Sequence, residues 1–131
     1  MNVNCLIKRG VTMLRSFAIL FGIGFIIIGV LGFLPSFVEQ ENLFGIFRVN
    51  FEHNVAHLAA GVLALLSGLA SKFASKMYFT IAGVVFALLA VFGFMEQDEM
   101  LFEMIAVNTA DNVLHAGIAA VFLLLGLGSS D

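Results

Sequence analysis

The sequence predicts an all-α protein, a membrane four-helix bundle made of two parallel two-helix repeats with both termini in the cytoplasm. Three observations carry that prediction: an extreme apolar composition, four long apolar runs, and an internal duplication. The 131-residue chain is 61% hydrophobic and 11% charged, with a mean hydropathy of +1.08. A soluble domain of this size cannot hide so much apolar surface, whereas a bilayer removes the need to hide it. Its length has room for one domain, residues 1–131.

Composition also removes several function classes. Only six Lys and Arg are present and they form no basic stripe, which excludes nucleic acid as a partner. The lone Cys5 permits no disulfide within the chain and no metal site of its own. Beside Lys8 and Arg9 it reads as a free thiol, with a reversible acyl anchor as the alternative. With one proline and no tryptophan, interfacial anchoring falls to Phe, Tyr78 and the basic residues.

The apolar runs are Phe17 to Leu34, Val55 to Ala70, Met77 to Phe94 and Val113 to Leu127. A spanning helix needs about 20 residues, so the second and fourth runs require extension at their starts. Asn50 and Asn108 provide it as helix caps, since an Asn side chain accepts from an orphan N–H of the first turn. Glu52 and Asp111 then fall near the positive end of each helix dipole. The spans become about 16–34, 51–70, 77–95 and 109–127. The first is read as a span and not a signal peptide, because Gly32-Phe33-Leu34-Pro35 offers no A-x-A-like cleavage site.

Lys8, Arg9, Arg15, Lys72 and Lys76 fall on one side of this four-span arrangement. Acids crowd the other side, at Glu39, Glu41, Glu52, Glu96, Asp98, Glu99, Glu103 and Asp111. By the positive-inside rule the basic side is cytoplasmic. Arg48 is the exception.

A shift of 58 residues lays segment 43–71 over 101–129, with twelve of 29 positions identical. The matches include polar residues: Asn50 on Asn108, Asn54 on Asn112, and His57 on His115. The first and third helices match at a shift of 61, with Gly22, Phe25, Gly29 and Gly32 over Gly83, Phe86, Ala90 and Gly93. Repeat 1 covers about 16–71 and repeat 2 about 77–129. Two spans per repeat give both copies one orientation, related by a pseudo-two-fold axis along the membrane normal. The small residues share a helix face and allow the close backbone approach that drives helix association in lipid. The second helix has its own stripe at His57, Gly61, Ala64 and Gly68. Between the spans, residues 35–50 and 95–108 combine acids with apolar stretches, as an interfacial segment or a lid would.

Asn54 and His57 are three apart on one helix face, mirrored by Asn112 and His115. Polar side chains inside a span face protein or water, so these four are expected to converge near the outer surface. The plain expectation is a hydrogen-bond clamp, Asn54 with His115 and His57 with Asn112, with no cofactor. A metal site is the first alternative: His53 and His57 are at i, i+4, as are Asp111 and His115, and three imidazoles with a carboxylate suit a divalent ion. The others are a bis-histidine haem or quinone pocket using His57 and His115, and a small-solute or proton path. No nucleophile elbow, Walker loop or Rossmann glycine pattern is present.

Several of these elements together resemble a bacterial family of small membrane proteins, domain of unknown function 4383. The resemblance lies in Gly29-Val-Leu-Gly-Phe33, Leu43-Phe-Gly-Ile-Phe-Arg-Val-Asn50, His53-Asn54-x2-His57-Leu58 followed by Gly61, and Asp111-Asn-x-Leu-His115. It runs from about residue 16 to 127 and departs at Ala116, where a larger apolar residue is expected. It implies a four-helix membrane fold and no known activity. Taken whole, the sequence predicts a non-enzymatic accessory, envelope or interaction component of the bacterial cytoplasmic membrane. Its expected partners are the lipid bilayer and either a second copy or another membrane protein. A metal-, haem- or quinone-binding module is the alternative.

Overall fold

The structure, a computed structural model, describes residues 2–96 and 99–130. Among these are four helices, α1 (Val3–Leu31), α2 (Phe51–Ala70), α3 (Lys72–Met95) and α4 (Thr109–Gly128). Each is long and apolar enough to cross a membrane. Asp98, one of the acids used for orientation, lies outside the described residues.

Two boundaries differ from the hydropathy reading. The first helix begins at Val3, capped by Asn2 Oδ1 accepting from Asn4 N at 3.2 Å, because Lys and Arg are good helix formers and do not stop it. The loop expected at 71–76 shrinks to Ser71, which ends α2 and caps α3 by accepting from Ala74 N at 3.0 Å. Lys72 and Lys76 therefore ride on α3. Arg15 has a second role beyond its charge. Its Nε and Nη2 donate to the carbonyls of Gly68 and Leu69 at 2.8 and 2.9 Å, satisfying orphan acceptors at the negative end of α2.

The helices pack chiefly as two pairs, α1 with α2 and α3 with α4. Glycine sets the spacing. A Cβ on Gly22 would lie 2.7 Å from Leu65 N, and one on Gly61 2.8 Å from Gly22 O. Gly68 faces Ile19 and Arg15, while Gly126 faces Thr80. Gly32 is filled by the Asn54 side chain and Gly93 by that of Asn112. Except at Gly61, whose counterpart is Ala119, these contacts recur at the positions that match between the two halves of the sequence. Between the pairs sits an aromatic cluster in which Phe79 and Phe122 are fully buried. Phe21 meets Phe122 edge-on at 4.9 Å and Phe25 stacks on Phe86 at 5.6 Å. Each such pair contributes about 0.5–1.5 kcal/mol beyond its packing area. Leu20, Leu63, Ile81 and Leu124 point outward, as a lipid-facing surface requires.

The connections at one end of the bundle are β-hairpins and not interfacial helices. Pro35 opens a single 3-10 turn, Pro35–Phe37. Strands β1 (Val38–Glu39), β2 (Asn42–Leu43) and β3 (Phe47–Arg48) follow, antiparallel in that order. Strands β4 (Met100–Leu101) and β5 (Ile105–Ala106) form the second hairpin. Two positive φ values in succession, as in type I′ turns, occur at Phe44 and Gly45 (55° and 71°) and at Phe102 and Glu103 (55° and 58°). Left-handed backbone at a bulky Phe costs about 1 kcal/mol or more. What holds each turn is the buried leucine before it, Leu43 or Leu101.

The caps explain why the hairpins lie across the bundle. Asn50 Oδ1 accepts from His53 N at 3.0 Å, while its Nδ2 donates to Met104 O at 2.7 Å. Asn108 Oδ1 accepts from Asp111 N at 3.0 Å, and its Nδ2 donates to Ile46 O at 2.8 Å. Each cap thus starts its own helix and fastens the other half's hairpin. Arg48 adds ion pairs to Glu99 at 2.9 Å and Glu41 at 3.4 Å, which accounts for a basic residue among the acids. Asn108→Ala is expected to cost about 1–2 kcal/mol. A lower thermal midpoint, with faster proteolysis near residue 46, would register it.

Candidate histidine site

Beneath the hairpins, α2 and α4 bring all three histidines of the chain together. One ring nitrogen of each of His53, His57 and His115 lies within 4.8 Å of one from each of the others. The rings of His53 and His57 are 4.6 Å apart, His53 and His115 5.7 Å, and His57 and His115 6.4 Å. His53 and His57 share a face because they are four apart on α2. His115 arrives from α4.

Each ring has its own support. His57 stacks on Phe25 at 5.8 Å and His115 leans on Phe86 at 5.4 Å, so α1 and α3 each supply an aromatic backing. His53 Nδ1 donates to the Ala106 carbonyl at 2.6 Å. That bond fixes the tautomer: Nδ1 carries the proton and Nε2 keeps its lone pair. His53 Nε2, His57 Nδ1 and His115 Nδ1 are buried without a hydrogen-bond partner. Buried polar atoms normally have a hydrogen-bond partner, so three of them on neighbouring rings call for an explanation.

The other residues singled out in the sequence lie elsewhere. The expected convergence of Asn54, His57, Asn112 and His115 is corrected: Asn54 packs on Gly32 and Asn112 on Gly93, each within its own helix pair. Neither Asn54–His115 nor His57–Asn112 is hydrogen-bonded among the described residues, and both Asn Oδ1 atoms lack a partner. Asp111 is not part of the cluster. Its Oδ2 accepts from Asn108 N at 2.9 Å in a capping box. Asn50 and Asn108 are the helix caps described above.

A cavity of about 580 Å³ leads away from the histidines between α2 and α3. Its walls are Ala60 and Leu63 on one side and Ile81, Val85 and Phe86 on the other. Tyr78, expected as an interfacial anchor, lines it and donates its hydroxyl to Ala60 O at 2.9 Å. The sequence signal for it was a lone tyrosine inside a span. The cavity itself had none.

Four apolar helices under a hairpin cap, with polar groups gathered at one end, define a small multi-pass membrane protein. The chain belongs to the family described as "Domain of unknown function (DUF4383)", which residues 15–128 match. No curated protein and no solved structure matches the chain.

Proposed function

We propose that this protein is a non-enzymatic metal-binding module of the bacterial cytoplasmic membrane, holding one divalent transition-metal ion on His53, His57 and His115. The observation that carries this reading is the trio of ring nitrogens within 4.8 Å. In a tetrahedral zinc site, Zn–N bonds of about 2.0–2.1 Å put ligand nitrogens roughly 3.3 Å apart. Rotation of three side chains by about an ångström closes that gap. Imidazole without thiolate or carboxylate suits zinc, copper or nickel. The Ala106 carbonyl on His53 is the outer-sphere partner that orients such a ligand. A haem between His57 and His115 is disfavoured, because the His53 ring lies against both.

The basic α1 start and α2–α3 junction favour a cytoplasmic location for both termini, with the hairpins and the histidines toward the outside. The matching glycine, asparagine and phenylalanine contacts of the two helix pairs support a duplicated origin with parallel repeats. An accessory role with a protein partner remains compatible with a metal at this site.

Elemental analysis tests the proposal on protein purified through a histidine-free tag and equilibrated with zinc. The expected content is about one ion per chain, falling to background in a His57→Ala, His115→Ala variant. Equal content in both, or none in either, overturns it.

A further inference from the structure

We infer that the groove between α2 and α3 binds an isoprenoid quinone, its ring seated at the histidine cluster and its tail running along the groove toward lipid. The inference concerns the metal-free protein and needs only the groove and the imidazole rings.

The shape comes first. α2 and α3 touch far less than the helices within each pair, and the space left between them is a cavity of about 580 Å³. That volume is typical of a site for one small molecule. Outward-pointing Leu63, Ile81 and Val85 line it, so it is continuous with the lipid-facing surface. A ligand reaches it sideways from the bilayer.

The polarity is one-sided. At the inner end the Ser67 hydroxyl already donates to Ala64 O at 2.8 Å, and midway the Tyr78 hydroxyl donates to Ala60 O. At the hairpin end the rings of His53, His57 and His115 line the cavity, and His53 and His115 are only 2% and 3% exposed. The occupant therefore carries hydrogen-bonding or metal-ligating atoms at one end and an apolar tail at the other.

Charge and ring chemistry select among such molecules. Among the described residues, no Lys, Arg, Asp or Glu lines the cavity. A phosphate or carboxylate head would meet no protein countercharge there, and losing its water is costly. A neutral head suits the site. The walls at that end are planar rings, His57, His115 and Phe86, which favour a flat head by stacking. A quinone oxygen accepts from an imidazole N–H, and a quinol hydroxyl donates to an imidazole lone pair. A membrane-dissolved molecule with a neutral planar head, paired oxygens and a long apolar tail is an isoprenoid quinone.

The protein carries its own reporter. It has one tyrosine and no tryptophan, and that tyrosine, Tyr78, lines the groove. Detergent-solubilised, metal-free protein is titrated with a short-tailed quinone, decylubiquinone, while tyrosine emission is followed. Saturable quenching is expected. Ala56→Phe and Val85→Phe, both at exposed groove positions, are each expected to weaken apparent affinity at least tenfold while leaving zinc content unchanged. Quenching that is linear and equal in wild type and both variants overturns the inference. So does displacement by decanoic acid at equal concentration, which would make the groove a generic acyl-chain site. The metal proposal is read separately, from zinc content, so either reading can fail alone.

Discussion

Replacing Gly22 by alanine is expected to force the first helix pair apart and destabilise the protein by about 1–3 kcal/mol, the usual cost of overpacking. The added Cβ would sit 2.7 Å from Leu65 N and 2.8 Å from Gly61 O. Both are backbone atoms, so no side chain can turn aside and α2 as a whole must move. In lipid that separation removes the close packing which holds spanning helices together, and no hydrophobic effect compensates. Two comparisons isolate the cause. Gly24→Ala has nothing within 4 Å of the new atom and should gain up to about 1 kcal/mol from helix propensity. Gly83→Ala meets chiefly the Leu123 side chain, at 2.9 Å, which can shift, so its effect should be intermediate. Thermal midpoints in one detergent rank the three, and equal midpoints for Gly22→Ala and Gly24→Ala would refute the close-approach account.

Single alanine substitutions at the three histidines are expected to weaken zinc binding by roughly 100-fold each. A structural zinc site provides about 10–16 kcal/mol over four ligands, or about 3 kcal/mol per ligand. The losses should not add, because two remaining imidazoles no longer define a site. Asp111→Asn is the informative control. Its carboxylate belongs to the capping box of α4, so zinc affinity should hold while the thermal midpoint falls. Competition against a chromophoric chelator measures the affinities. If Asp111→Asn matches His115→Ala, the carboxylate is a ligand and the three-histidine assignment fails.

The parts of this protein that were legible in the sequence are those set by local chemistry. Long apolar runs marked the helices, and Asn50 and Asn108 revealed themselves as caps because capping needs only the residues of one turn. The start of α1 was less visible, since hydropathy reports the lipid and says nothing of where hydrogen bonding begins. The site was half legible. His57 and His115 stood out because they match between the two halves, and the same logic wrongly grouped Asn54 and Asn112 with them. Matching positions mostly serve packing within a pair: Asn54 on Gly32 and Asn112 on Gly93 are the same contact made twice. His53 has no histidine counterpart, since Asp111 occupies that place, yet it completes the cluster. Which way α2 turns its histidines depends on its glycine contacts with α1 and on a hairpin carbonyl at Ala106, and neither is written in the periodicity of one helix. The groove is a property of what α2 and α3 fail to fill.

The crossed bonds from Asn50 to Met104 and from Asn108 to Ile46 have a consequence for biogenesis. As the chain leaves the ribosome, the first helix pair has its Asn50 amide and Ile46 carbonyl pointing at partners not yet synthesised. It cannot close its own end, and neither can the second pair alone. Completion of the end that houses the histidines therefore needs both halves of the chain. A half-made chain lacks both of these bonds.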